Sequence, residues 1–135
     1  MKELAILCRA MQLFYHNCHN LCARVPFFTD HEAFAEFYST LESTYDSVIE
    51  RMLGLDVVID LVVIQELAVA KLKSLSHPVD NAGMFLIGLN LEKEMCSIVE
   101  KLCSGQASQG VKNLLAGEAD KSEVRQYKLK QRIKK

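Results

Sequence analysis

Tryptophan is absent from this chain of 135 residues, and proline (two residues) and glycine (six) are scarce. Few turn formers leave little punctuation, which favours long regular elements. No uncharged apolar run approaches the roughly 18 residues that a membrane span needs. The most apolar stretch, Leu55 to Leu72, is interrupted by Asp60, Glu66 and Lys71 and reads as a buried helix, so no membrane association is expected. A secretory signal is likewise not expected, because the N-terminus carries Glu3 and Arg9 and no small-residue cleavage site. The five cysteines are odd in number and lack framework spacing, which argues against a disulfide scaffold and for reduced thiols in the cytoplasm.

Half of the residues are apolar and 24% are charged, an ordinary globular composition. The length suits one domain spanning 1–135. The net charge of -1 is unevenly spread: residues 1–119 hold 9 basic against 15 acidic side chains, and residues 120–135 hold 7 against 2.

Apolar residues recur at helical spacing from Met1 to about Ala23, through Leu4, Leu7, Cys8, Met11, Phe14, Tyr15, Cys18 and Cys22. Pro26 breaks the pattern. Thr29 and Glu32 have capping-box spacing and predict a second helix from about His31 to Leu53, with Gly54 as its stop. After the apolar Val57 to Leu72 segment, "SLSHPVDNAG" breaks the chain again. A third long helix is expected over about Asn81 to Cys103, and a fourth over about Val111 to Ile133. Four helices with two short loops and one long middle connection predict an all-α, four-helix bundle with a single crossover.

Asp46 and Glu50 are spaced i, i+4, which puts both carboxylates on one helix face about 6 Å apart at Cβ. Taken alone, the pair reads first as solvated surface charge, with Glu50 able to pair with Arg51, and only second as a shared cation site. Of the four histidines, His19 lies near the end of the first helix and His31 at the start of the second, so a hairpin brings them to the same end. His31 and Asp46 are 15 residues apart on one helix, roughly 22 Å at 1.5 Å per residue. They cannot bind one ion within a chain, but two chains packed antiparallel about a two-fold axis can bring them together.

The pattern formed by His19, His31, Asp46 and Glu50, with Phe27 before the second histidine and Arg51 after Glu50, resembles the Dps-type miniferritins of the ferritin-like superfamily. All four positions fall at that family's spacing, and the resemblance is strongest over Tyr15 to Leu53. It implies a ferritin-like four-helix bundle whose long crossover carries a short helix at the two-fold interface. It further implies a dodecameric shell built from self-associated dimers. The implied activity is oxidation of Fe(II) by peroxide or oxygen, with Fe(III) stored inside. His19 and His31 of one subunit, with Asp46 and Glu50 of its partner, would be the metal ligands and the ferroxidase residues. Imidazole and carboxylate suit iron, and zinc is a candidate substitute in the same site.

The chain departs from the family pattern at Ala35, Asn20 and Arg24, where an acid, a tryptophan and a glycine are usual. With a first helix expected almost from Met1, the lysine-rich N-terminal tail through which some members bind DNA is not expected in this chain. Its basic C-terminus, with Lys128, Lys130, Arg132, Lys134 and Lys135, is the candidate DNA contact, non-specific and salt-sensitive. The alternative to an iron-oxidising shell is a catalytically silent ferritin-like assembly with a structural or DNA-coating role.

Overall fold

The computed structural model describes residues 1–134. These form five helices: α1 (Lys2–Leu21), α2 (Phe27–Gly54), α3 (Leu61–Ser74), α4 (Asn81–Cys103) and α5 (Gln109–Ile133). The described residues contain no strand, so the chain is all-helical, as its periodicity predicts. Connections of five residues join α1 to α2 and α4 to α5. Each of these pairs packs together, and such short links make them antiparallel. Helix α1 also packs on α4, α2 touches α5, and α3 crosses α1.

Caps set several helix starts. Asp60 accepts from the Val62 and Val63 N–H groups at 2.9 and 3.2 Å, Asp80 from Gly83 at 2.8 Å, and Ser108 from Val111 at 3.2 Å. Each satisfies a donor that the first turn leaves without a helical partner. The expected capping box of Thr29 and Glu32 does not form. Helix α2 begins earlier, at Phe27, directly after extended Pro26 and with no side-chain cap. One turn on, the Phe27 ring stacks on His31 with 5.0 Å between centroids, an i, i+4 contact that favours the earlier start.

The core is continuous across α1, α2, α4 and α5, with Tyr15, Phe34, Phe37, Met11 and Met95 almost wholly buried. At the α1–α4 crossing the Tyr15 hydroxyl donates to the Gly88 carbonyl at 3.4 Å. A methyl group built on Gly88 would lie 2.9 Å from the Tyr15 ring, so only hydrogen fits there without movement. Deeper in, the Arg125 Nε donates to both Glu92 oxygens at 2.7 and 2.9 Å, a fully buried ion pair between α5 and α4. Burial pushes the Glu92 carboxyl up to about 7, with the Arg125 guanidinium pulling the other way. Beside it, the Thr44 hydroxyl of α2 donates to Glu118 of α5 at 2.7 Å.

Helix α3 corrects one expectation. It is not a buried helix within the chain: only Ile64 and Ala68 are buried. Val58 before the helix is fully exposed, and Leu61, Val62, Leu67 and Val69 face outward. The reason is that α3 packs substantially on α1 alone. None of the described helices is long and apolar enough to cross a membrane.

Candidate metal centre

Helix α1 ends where Cys22 turns extended, with φ -60° and ψ 142°. Arg24 then takes the left-handed conformation, with φ 65°, and the chain reverses into α2. This reversal brings His19 and His31 face to face. Their rings stack with 3.7 Å between centroids and 21° between planes. His19 Nδ1 lies 2.8 Å from the His31 carbonyl oxygen, and His31 Nδ1 lies 2.8 Å from the His19 carbonyl oxygen.

A carbonyl oxygen only accepts, so the hydrogen in each bond belongs to Nδ1. In both neutral rings the lone pair is thereby left on Nε2. A backbone bond to one ring nitrogen that fixes the other as donor is the usual preparation of a ligating imidazole. Here the arrangement is reciprocal, a latch between the two helices that orients both rings together.

Aromatic side chains wall the latch. Phe27 stacks on His31, and the Tyr38 ring meets His19 edge-on at 5.5 Å and stacks on His16 at 4.3 Å. The Cys22 thiol donates to the His19 carbonyl at 3.6 Å and lies 4.0 Å from His31 Nδ1. Burial pushes the Cys22 thiol up and the Cys18 thiol up to about 12, so both stay protonated at neutral pH. Cys8, enclosed in the core, is also raised to about 12.

Asp46 and Glu50 are exposed on α2, well away from the histidines. Neither is in an ion pair among the described residues, and the alternative pairing of Glu50 with Arg51 is not made. Glu50 borders a shallow cleft with Ser47, Arg51 and Leu114. Helix α2 runs unbroken from His31 to Asp46, which keeps the imidazoles and carboxylates of one chain roughly 22 Å apart. Accordingly, among the described residues of one chain, no three histidine, cysteine or carboxylate side chains converge to hold a metal ion. Ala35, one turn after His31, offers no ligand atom.

The basic C-terminus divides. Lys128 pairs with Glu36 at 2.9 Å, and Arg132 grips the buried Asp30 through two bonds of 2.9 Å while lying over the Phe85 ring. Arg132 is therefore engaged inside the fold, with 30% of its side chain exposed. Lys130 and Lys134 are exposed, and Lys135 lies outside the described residues.

Two residues around the centre gave no signal in the sequence, Asp30 and Asn81. Asp30 precedes His31 and is buried, and the Asn81 amide donates to it at 2.9 Å. The Asn81 oxygen in turn accepts from the Ala23 N–H at 3.1 Å. No protein-family model matches the sequence. No curated protein matches it either, so the reading of this centre rests on the geometry and on the four-residue pattern.

Proposed function

We propose that the chain is the subunit of a Dps-type miniferritin. In this reading it folds as a ferritin-like four-helix bundle with α3 on the crossover, and it assembles through two-fold dimers into a twelve-subunit shell. Its activity is oxidation of Fe(II), the substrate, by peroxide or oxygen, with Fe(III) stored in the shell. The observation that carries the reading is the reciprocal latch of His19 and His31, which leaves two oriented Nε2 lone pairs at one end of the hairpin. Imidazole nitrogen and carboxylate oxygen are donors that iron accepts.

The acids come from the two-fold partner. Asp46 and Glu50 stand exposed and unpaired on α2, and an antiparallel partner would set them against the latch. Two anionic ligands beside two neutral ones offset the charge that grows when iron is oxidised. Oxidation of two Fe(II) by one hydrogen peroxide consumes two protons and yields two Fe(III) and two waters, so no hydroxyl radical is released. The apolar residues left uncovered on and before α3 supply a surface for that partner, since an exposed apolar patch of this kind marks association. Five unpaired thiols suit the reducing cytoplasm.

A second reading, a silent shell or DNA-coating assembly, is favoured by Ala35, which supplies no donor for a second iron, and by exposed Lys130 and Lys134. One experiment separates the two. Purified protein is mixed with Fe(II) and hydrogen peroxide, ferric absorbance is followed, and the particle is sized in the same sample. The proposal expects faster oxidation than in a His31→Ala/Asp46→Ala double variant, within a shell. Equal rates would remove the oxidase reading, and a dimer without a shell would remove storage.

A further inference from the structure

The latch uses a carbonyl from the last turn of α1, one that a further helical turn would cover. In an uninterrupted α1 the Ala23 N–H would bond the His19 carbonyl four residues back. It does not do so here: Ala23 N–H donates instead to the side-chain oxygen of Asn81, at 3.1 Å. The His19 carbonyl, which also accepts from the Cys22 thiol at 3.6 Å, is thereby left to accept from His31 Nδ1 at 2.8 Å. The same Asn81 side chain donates its amide to Asp30 at 2.9 Å, the residue immediately before His31. Only this amide orientation satisfies both partners, because the N–H needs an acceptor and the carboxylate needs a donor. Asn81 is the first residue of α4 and is 8% exposed, so its amide meets protein partners far more than solvent. Arg132 completes the arrangement by holding Asp30 through both carboxylate oxygens.

From this geometry we infer that Asn81 is a positioning residue for the histidine pair. It ends α1 by diverting the Ala23 N–H, frees the His19 carbonyl for His31, and fixes the first turn of α2 through Asp30. The role bears on the proposed iron site but does not require it, since it concerns the tautomers of two rings. Outer partners that orient ligating imidazoles commonly affect metal affinity by 10- to 100-fold.

The test uses the full-length protein labelled with ¹⁵N at histidine, read by solid-state NMR at mildly alkaline pH, together with Co(II) titration followed by visible absorbance. In the wild type, His19 and His31 should both carry hydrogen on Nδ1. Asn81→Ala removes the acceptor, so Ala23 should return to the His19 carbonyl. His31 should then lose its Nδ1–H signature, and Co(II) should bind at least about tenfold more weakly. The variant Asn81→Asp keeps an acceptor for Ala23 and leaves Asp30 its two bonds from Arg132, giving up the amide bond alone. It should retain both tautomers, and it decides the matter should Asn81→Ala fail to fold.

A lowered melting temperature in Asn81→Ala with both tautomers and Co(II) affinity unchanged would overturn the inference. So would a folded Asn81→Asp that has lost the latch. Wild-type tautomers that Asn81→Ala abolishes, with no Co(II) bound by either protein, would uphold the inference and remove the metal reading instead.

Discussion

Two variants that are each inactive alone can restore one another if the oxidation site is shared between subunits, and the expected recovery is calculable. His31 and Asp46 sit on one unbroken helix, roughly 22 Å apart, so the proposed two-fold dimer would have two composite sites. Each site takes its imidazoles from one subunit and its carboxylates from the other. In a dimer of one His31→Ala subunit and one Asp46→Ala subunit, both lesions fall in the same site. The other site is then intact. With equal amounts and random pairing, about half of the dimers are mixed and half of their sites work, giving about a quarter of wild-type turnover per subunit.

The two variants would be co-expressed with different affinity tags, and initial rates of ferric absorbance measured under limiting peroxide. Each variant alone should fall at least about tenfold, since a first ligand matters no less than the outer partners that orient it. Purification through both tags in turn selects dimers or larger assemblies that contain both subunits, and should raise the recovered fraction. A co-expressed sample no faster than the average of the two single variants would refute the shared site and, with it, the role given to Asp46.

Gly88→Ala sets two effects in opposition. Helix propensity alone predicts a gain of about 1 kcal/mol, but the new methyl lies 2.9 Å from the enclosed Tyr15 ring. Overpacking and a disturbed hydroxyl should win, with a net loss of about 1–3 kcal/mol in urea denaturation. Net stabilisation would show that the α1–α4 crossing is looser than described. Arg24 holds a left-handed backbone and makes no side-chain bond among the described residues, so Arg24→Gly should stabilise by about 0.5–1 kcal/mol. A lower urea midpoint would contradict that.

Glu92 gives a dependence on pH of definite sign. With its folded carboxyl raised from 4.5 to about 7, the folded chain keeps a proton that the unfolded chain has released. Its contribution to stability is complete below pH 4.5 and is lost as pH rises through 7, by at most about 3 kcal/mol. The apolar replacement Glu92→Leu/Arg125→Met should abolish that slope in denaturation midpoints measured between pH 5 and 7.5, and an unchanged slope would refute the assignment.

The helices were legible because helical periodicity is local: Leu4, Leu7, Met11 and Phe14 mark the buried face of α1 within four turns. The meeting of His19 and His31 was legible for a similar reason, as a short link returns the chain to the same end. The start of α2 was misplaced because capping-box spacing at Thr29 competed with the Phe27–His31 stack, and the stack is a contact that spacing does not advertise. For α3, hydropathy reported a preference for burial without saying what covers it: read alone it gave a helix buried in the chain, while the resemblance placed it at an interface. The Asn81 bridge was beyond reach, since Asp30 meets partners 51 and 102 residues away. Arg132 resembled the lysines around it in composition, and only the fold distinguishes it from them.

The histidine latch has a consequence for how such a site can change under mutation. Each imidazole holds the other's backbone as well as its own position. Replacing one keeps the survivor's own Nδ1 bond, because its acceptor is a backbone carbonyl that every residue supplies. What goes is the stacked ring and the bond onto the survivor's carbonyl, so the hairpin loses a tie while the remaining imidazole keeps its partner. The two rings can therefore be lost one at a time, and the single-histidine form retains one directed Nε2.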